Sequence, residues 1–172
     1  MGGDMWTYWA DYEPDINLVL QKARQEAFRE GNYYLAPKPL STWLGKPIDP
    51  DSPWDPEIPP DYLEWLHWLK SAGDRPTSIE ELISWNGPSG NGTRSIIDIS
   101  EVGDQLYWGG TTCPVSDDLL LEWFGTTKPH AKMVEQMILN MLDLTGRGTA
   151  VHVIVYDEEE PSQVVFVGRS VD

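Results

Sequence analysis

The sequence AVHVIVYDEEEPSQVVFVGR, residues 150–169, contains two valine-rich runs separated by a short stretch that includes four consecutive acids. β-Branched residues favour strands, and a polar stretch with Pro and Ser between two such runs is typical of a turn. We therefore predict strands at 150–156 and 163–169 that form a β-hairpin. This hairpin is the strongest structural signal in the chain.

Apolar residues at helical spacing occur on several segments that precede the hairpin. Ser78 and Glu81 have the spacing of a capping box, in which each side chain satisfies a free backbone N–H of the other residue. Gly31 and Gly125 are placed as helix stops, because glycine adopts the left-handed conformation that commonly ends a helix. The predicted helices cover residues 14–31, 60–73, 78–85, 116–125 and 129–146.

Two further segments, 94–99 and 106–115, have the composition of strands, and we predict that they pair antiparallel with each other. The aromatic residues at positions 6–12 are interpreted as an irregular lead-in. The order of elements predicts an α+β fold in which helices pack on a largely antiparallel sheet of about four strands. The length of 172 residues predicts a single domain over 1–172.

The segment 36–60 contains eight of the fourteen prolines, so it has few of the backbone donors that helices and central strands need. We predict an ordered, proline-rich loop that lies over the core, and we call it the proline belt. Its aromatic and acidic side chains are the predicted binding residues. These residues are Trp43, Asp49, Asp51, Trp54, Asp55 and Glu57.

The formal net charge of −16 opposes binding to nucleic acid and to anionic membrane surfaces, because both carry negative charge. No run of about 20 apolar residues, the length that spans a membrane, occurs in the sequence. Cys113 is the only cysteine, which excludes an intramolecular disulfide. The first residues have neither the basic nor the apolar region of a secretion signal, so we expect a cytoplasmic protein.

The residues most suited to catalysis are Cys113 and the three histidines His67, His130 and His152. None of them has a recognisable catalytic spacing, and Cys113 lacks the helix-start context that commonly lowers the pKa of a thiol. We therefore predict no catalytic residue, no cofactor and no zinc site. The acids of the proline belt resemble a calcium loop only in part, since Trp54 stands where such a loop needs glycine.

Three stretches resemble a group of small acidic bacterial proteins of uncharacterised function: residues 28–34, 78–82 and 92–99, the last with the sequence GTRSIIDI. The resemblance implies shared structure and no particular active site. More loosely, the size, acidity and aromatic content are similar to those of bacterial toxin-immunity proteins, which bind a basic toxin domain.

These observations favour a non-enzymatic interaction protein that binds a basic protein partner, with toxin immunity as one form of that function. Two alternatives stay open. One is a small enzyme that uses the histidines or Cys113, and the other is a calcium- or carbohydrate-binding module, since nine tryptophans beside many carboxylates also suit a sugar.

Overall fold

The computed structural model describes residues 3–36, 64, 75–87, 92–105 and 109–171. At the centre of this described part lies a five-stranded sheet with the strand order β1-β5-β4-β3-β2. The strands are β1 (Met5–Asp11), β2 (Glu101–Val102), β3 (Thr111–Pro114), β4 (Thr149–Asp157) and β5 (Glu160–Arg169). β1, β5 and β4 pair antiparallel, whereas β4, β3 and β2 run parallel. The predicted α+β class is confirmed, but the sheet is mixed and has a fifth strand.

The predicted hairpin is confirmed as β4 and β5, with Val151 opposite Val167 and Val153 opposite Val165. The register shifts by a bulge between Val155 and Tyr156, just before the turn that joins the strands. Both strands lie inside the sheet, because β5 also pairs with β1 and β4 also pairs with β3. The hairpin thus organises the strands on either side of it.

Helices cover both faces of this sheet. Ala150, Val164 and Phe166 face one apolar layer, and Val151, Val165 and their neighbours on alternate positions face the other. Strands buried on both faces are apolar almost throughout, which explains the continuous valine runs. One layer holds α1 (Ile16–Glu30), α2 (Ile79–Asn86) and a 3-10 helix (Ile96–Asp98), and the other holds α3 (Asp117–Phe124), α4 (Ala131–Gln136) and α5 (Ile138–Asp143).

Several helix ends lie where the sequence predicts them. Ser78 caps α2 by accepting a hydrogen bond from the Glu81 N–H, and the Glu81 carboxylate accepts the Thr77 N–H at 2.6 Å. Gly31 ends α1 with a φ of 75°, and Gly125 ends α3 with a φ of 70°, both in the left-handed region. Local capping chemistry therefore sets these boundaries.

The strand predicted at 94–99 is wrong, because Ile96–Asp98 form a 3-10 helix. Ser95 starts this turn by accepting a hydrogen bond from the Ile97 N–H at 3.2 Å. Ile96, Ile97 and Ile99 are all buried, so the apolar run fills a corner of the core and has no exposed alternate face. The segment predicted at 106–115 contains β3, which pairs parallel with β4 and β2.

Two other predictions are corrected. The aromatic lead-in is a regular strand, β1, which pairs with β5 over seven positions from Met5–Arg169 to Asp11–Gln163. The helix predicted at 129–146 is two helices, α4 and α5, that meet at Met137. Met137 has φ −110° and ψ 8°, outside the helical region, and this breaks the helix there.

Within these described ranges, no helix has the length and apolar character needed to cross a membrane.

Candidate functional site

The predicted binding residues of the proline belt lie outside the described residues, and so does His67. Ala36, the first residue of the belt, is described, and both its backbone N–H and its carbonyl form hydrogen bonds. Its N–H donates to Asn86 Oδ1 and its carbonyl accepts from Trp85 Nε1, each at 2.9 Å. The residues that would bind in the belt are Trp43, Asp49, Asp51, Trp54, Asp55 and Glu57, and their role stays a prediction.

Cys113 and His152 lie on neighbouring strands but face opposite sides of the sheet. Cys113 of β3 is in register with Val151, whereas His152 is in register with Pro114. Because successive side chains of a strand point to opposite faces, the thiol lies on the α3–α5 side and the imidazole on the α1 side. The two side chains therefore cannot form a nucleophile and base pair across this sheet.

The environment of each group also opposes catalysis. Burial, followed by the nearby charge of Asp104, raises the pKa of the Cys113 thiol, which keeps it protonated at neutral pH. Burial lowers the pKa of His152 to about 4, so the imidazole is neutral at neutral pH. Its Nδ1 lies 3.2 Å from Thr112 Oγ1, and its ring packs near Phe166. His130 is the exposed residue before the first turn of α4.

In the part of the chain that the structure describes, no three or more His, Cys, Asp or Glu side chains come together in a way that would hold a metal ion.

The segment 92–99, which carries the GTRSIIDI sequence, forms a tight polar junction. Asp98 Oδ1 accepts the Thr93 N–H at 2.6 Å, and a Cβ at position 92 would lie 2.5 Å from Asp98 Oδ2. Asn86 Nδ2 donates to the carbonyls of Tyr34 and Gly92 at 2.8 and 3.2 Å. These bonds join α2 to two loops, so this motif has a structural role, although a cleft of about 250 Å³ lies beside it.

A different feature is open to a ligand: the outer edge of β1. Ser170 N donates to Asp4 O, and Tyr12 N donates to Ser162 O, each at 3.0 Å. The register between these two bonds runs without a shift. Because bonded positions alternate in antiparallel pairs, the even-numbered residues of β1 bond to β5. The backbone N–H and C=O groups of Thr7 and Trp9 therefore point away from the sheet, where the described part of the chain has no further strand.

A cleft of about 380 Å³ lies between β1 and α1, and we call it the edge cleft. Its described lining comes from β1, α1 and the loop between them, and includes no residue of β5. A shallower depression continues from it along α1. The lining residues of the edge cleft are Trp9, Ala10, Asp11, Glu13, Val19, Lys22, Ala23 and Glu26.

Carboxylates outnumber basic groups in the edge cleft. Glu13 forms an ion pair with Lys22, the one basic residue of the described lining. Glu26 accepts hydrogen bonds from the Tyr8 hydroxyl at 3.0 Å and from Arg29 at 3.2 Å. Burial, and after it the bond to Glu26, raises the pKa of Tyr8 to about 12, so its hydroxyl remains a donor. Asp11 at the end of β1 is exposed, which leaves the cleft acidic.

Trp6 and Trp9 belong to the predicted irregular lead-in, whereas the structure places both in β1. The segment MWTYWAD, residues 5–11, does carry a strand signal, because four of its residues are aromatic or β-branched. The outer position of that strand has no local signal, since it depends on which residues pair with it about 160 positions later. No protein-family model, no curated protein and no solved structure matches this chain.

Proposed function

We propose that this protein is a non-enzymatic interaction protein that binds a basic protein partner through acidic and aromatic surface. The observation that carries this proposal is the imbalance between exposed carboxylates and the basic side chains available to neutralise them. The net charge of −16 sets the sign of the field around the protein, and such a field accelerates association with a positively charged partner.

Several basic side chains of the described part are already engaged within the protein. Lys22 pairs with Glu13, Arg29 with Glu26, and Lys128 with Glu159. Arg24 is partly buried and donates to the Ile97 carbonyl at 3.3 Å, and burial lowers its pKa. These residues are thereby less able to neutralise other carboxylates on the surface.

Exposed carboxylates remain on α3, which begins with Asp117 and Asp118 and carries Glu122 one turn later. Leu121 lies beside them in sequence and is 51% exposed. An exposed apolar side chain among acids suits a protein partner, because apolar contacts supply affinity while charges guide the approach. Toxin immunity is one biological form of such binding, and a toxin gene beside this one would favour it.

The test measures association rates of a purified basic partner, obtained by affinity capture from the source organism, at increasing NaCl concentrations. We expect the association rate constant to fall steeply with salt, because charges are screened beyond about 8 Å at physiological ionic strength. Replacing Asp117 and Asp118 by Asn and Glu122 by Gln should slow association and leave the circular dichroism spectrum unchanged.

A second variant tests the proline belt separately, with Asn or Gln at its four acidic positions. Slower association in this variant would support the belt as part of the binding surface. The matched control is Glu159→Gln, which removes a carboxylate that is already paired with Lys128. Rate constants that are independent of salt, or unchanged in both variants, would contradict the proposed function.

A further inference from the structure

We propose that the outer edge of β1 is a docking site for an extended segment of the partner in which basic and apolar residues alternate. The inference rests on the proposed function and names the surface and the shape of what binds there. In this proposal the partner segment adds a further strand to the sheet. Its backbone pairs with the open backbone groups of Thr7 and Trp9, and some of its side chains lie over the edge cleft.

The backbone supplies the first reason. An outermost strand presents a row of donors and acceptors that a further strand can satisfy, and peptide segments bind proteins in this way. β1 is seven residues long and pairs with β5 without a bulge, so its outer edge is regular. Met5 and Thr7 are exposed and Trp9 is partly exposed, which leaves this side of the strand accessible.

The side chains on the two faces of β1 supply the second reason. An added strand would place alternate side chains over α1, where the described lining of the edge cleft has three carboxylates, Asp11, Glu13 and Glu26, against one lysine. Its other side chains would lie beside Met5, which is 58% exposed, and beside Trp9. Basic residues suit the first face and apolar residues suit the second, and this alternation is what a strand provides.

Charge decides between this occupant and others. A second copy of the protein carries the same net charge of −16, and the exposed Asp11 at the end of β1 adds to the repulsion of a copy aligned along it. The proline belt has four acids of its own, and its prolines lack the N–H groups that strand pairing requires. A basic segment has neither disadvantage.

The first experiment uses a fluorescent peptide of alternating lysine and valine, as long as β1, and measures its binding by anisotropy. Two control peptides carry the same residues with the backbone nitrogen methylated, one at every valine and the other at every lysine. Methylation removes hydrogen-bond donors and keeps the charge. Only every second N–H of an added strand points to β1, so we expect one of the two methylated peptides to bind about tenfold more weakly, since more than one backbone bond is lost. This is the valine-methylated peptide if the added strand runs antiparallel to β1, and the lysine-methylated peptide if it runs parallel.

The peptide results separate this inference from the proposed function. If all three peptides bind equally and binding weakens with salt, the acidic surface recruits basic partners without strand addition, and the inference about β1 is wrong. If no peptide binds, the inference about β1 is wrong, and the proposed function is decided separately by the salt dependence of association with the captured partner. Preferential binding of the unmethylated peptide supports both.

The second experiment changes the edge itself. Thr7→Pro removes an outward N–H that β5 does not use, and proline is tolerated on edge strands when its nitrogen faces outward. We expect this variant to lose most of the preference for the unmethylated peptide, whereas Thr7→Val, which keeps the N–H, should retain it. Equal preference in the two variants would overturn the assignment.

Hydrogen exchange provides a readout that does not depend on folding of a variant. In the free protein, the amides of Thr7 and Trp9 should exchange faster than those of Tyr8 and Ala10, which bond to β5, and the peptide should slow them. Protection in the free protein that rises with protein concentration would identify a second copy as the occupant. Concentration-independent protection would identify a segment of the same chain. Either result would replace the proposed partner.

Discussion

Trp6 and Gly168 are partners in the β1–β5 register, and the indole of Trp6 lies directly over the glycine. A Cβ built on Gly168 would lie 2.3 Å from Trp6 Cζ2, well inside contact distance. A glycine at this position of an inner strand is therefore explained by packing, although glycine is otherwise unfavourable in strands. The indole covers the backbone that glycine leaves bare.

Gly168→Ala should lower the free energy of unfolding by about 1–3 kcal/mol, the usual range for overpacking in a core. Urea denaturation measures this loss. Gly87→Ala is the matched control, because a Cβ there meets no atom within 4 Å and the residue has a φ of −53°. If Trp6→Leu does not reduce the effect of Gly168→Ala, the ring is not the obstacle.

His152 should make stability depend on pH. Its pKa in the folded protein is about 4, below the ordinary value of 6.5, so protons bind the unfolded chain first. The contribution of His152 to the free energy of unfolding is fully present above pH 6.5. It is lost as the pH drops towards 4, and the loss is about 3 kcal/mol in all. Urea denaturation between pH 7 and 5 isolates the upper part of this range, before most carboxylates titrate.

His152→Gln should remove that part of the pH dependence, whereas His130→Gln should retain it because His130 is exposed. An unchanged slope in His152→Gln between pH 7 and 5 would show that other groups titrate there.

At the scale of helices and strands, the sequence is sufficient to predict an element boundary where one capping or terminating residue sets it. The cap at Ser78 and the stops at Gly31 and Gly125 followed from short-range signals. The strand direction of β3 and the edge position of β1 did not, because both depend on pairing with residues far along the chain. The open edge of β1 could not be predicted for that reason, whereas the predicted binding residues of the proline belt lie outside the described residues and stay a prediction.

Ser78→Ala should destabilise the protein by about 1 kcal/mol, the typical loss on removing an N-cap side chain. The Ser78 hydroxyl accepts the Glu81 N–H at 3.2 Å, and alanine leaves that donor without its cap. Thermal or urea denaturation measures the difference. Ser78→Asp supplies another capping oxygen and should restore most of the stability. Equal losses in both variants would indicate that packing at this position, and not capping, matters.

At the scale of the whole molecule, one sign of charge dominates. A net charge of −16 opposes compaction, because like charges lie closer together in the folded protein than in the unfolded chain. Salt should therefore act in opposite directions on two measurements: it weakens association with a basic partner and strengthens the fold. This pair of effects distinguishes general self-repulsion from local ion pairs, which salt weakens.

The melting temperature should rise when NaCl is increased from low concentration to about 0.15 M, where the screening length is about 8 Å. KCl should produce the same rise, because screening does not depend on which monovalent cation is present. A melting temperature that falls with salt would mean that ion pairs such as Lys128–Glu159 outweigh self-repulsion.

The pairing of β1 with β5 also determines when the sheet can form while the chain is being synthesised. A ribosome makes β1 before β2, β3 and β4, and the partner residues 163–169 appear only after all of these have been translated. At about 5–20 residues per second, the tryptophans of β1 wait for many seconds without their partner strand. Long sequence separation also slows the final pairing step. Until β5 is made, the nascent chain is therefore most prone to aggregate through β1.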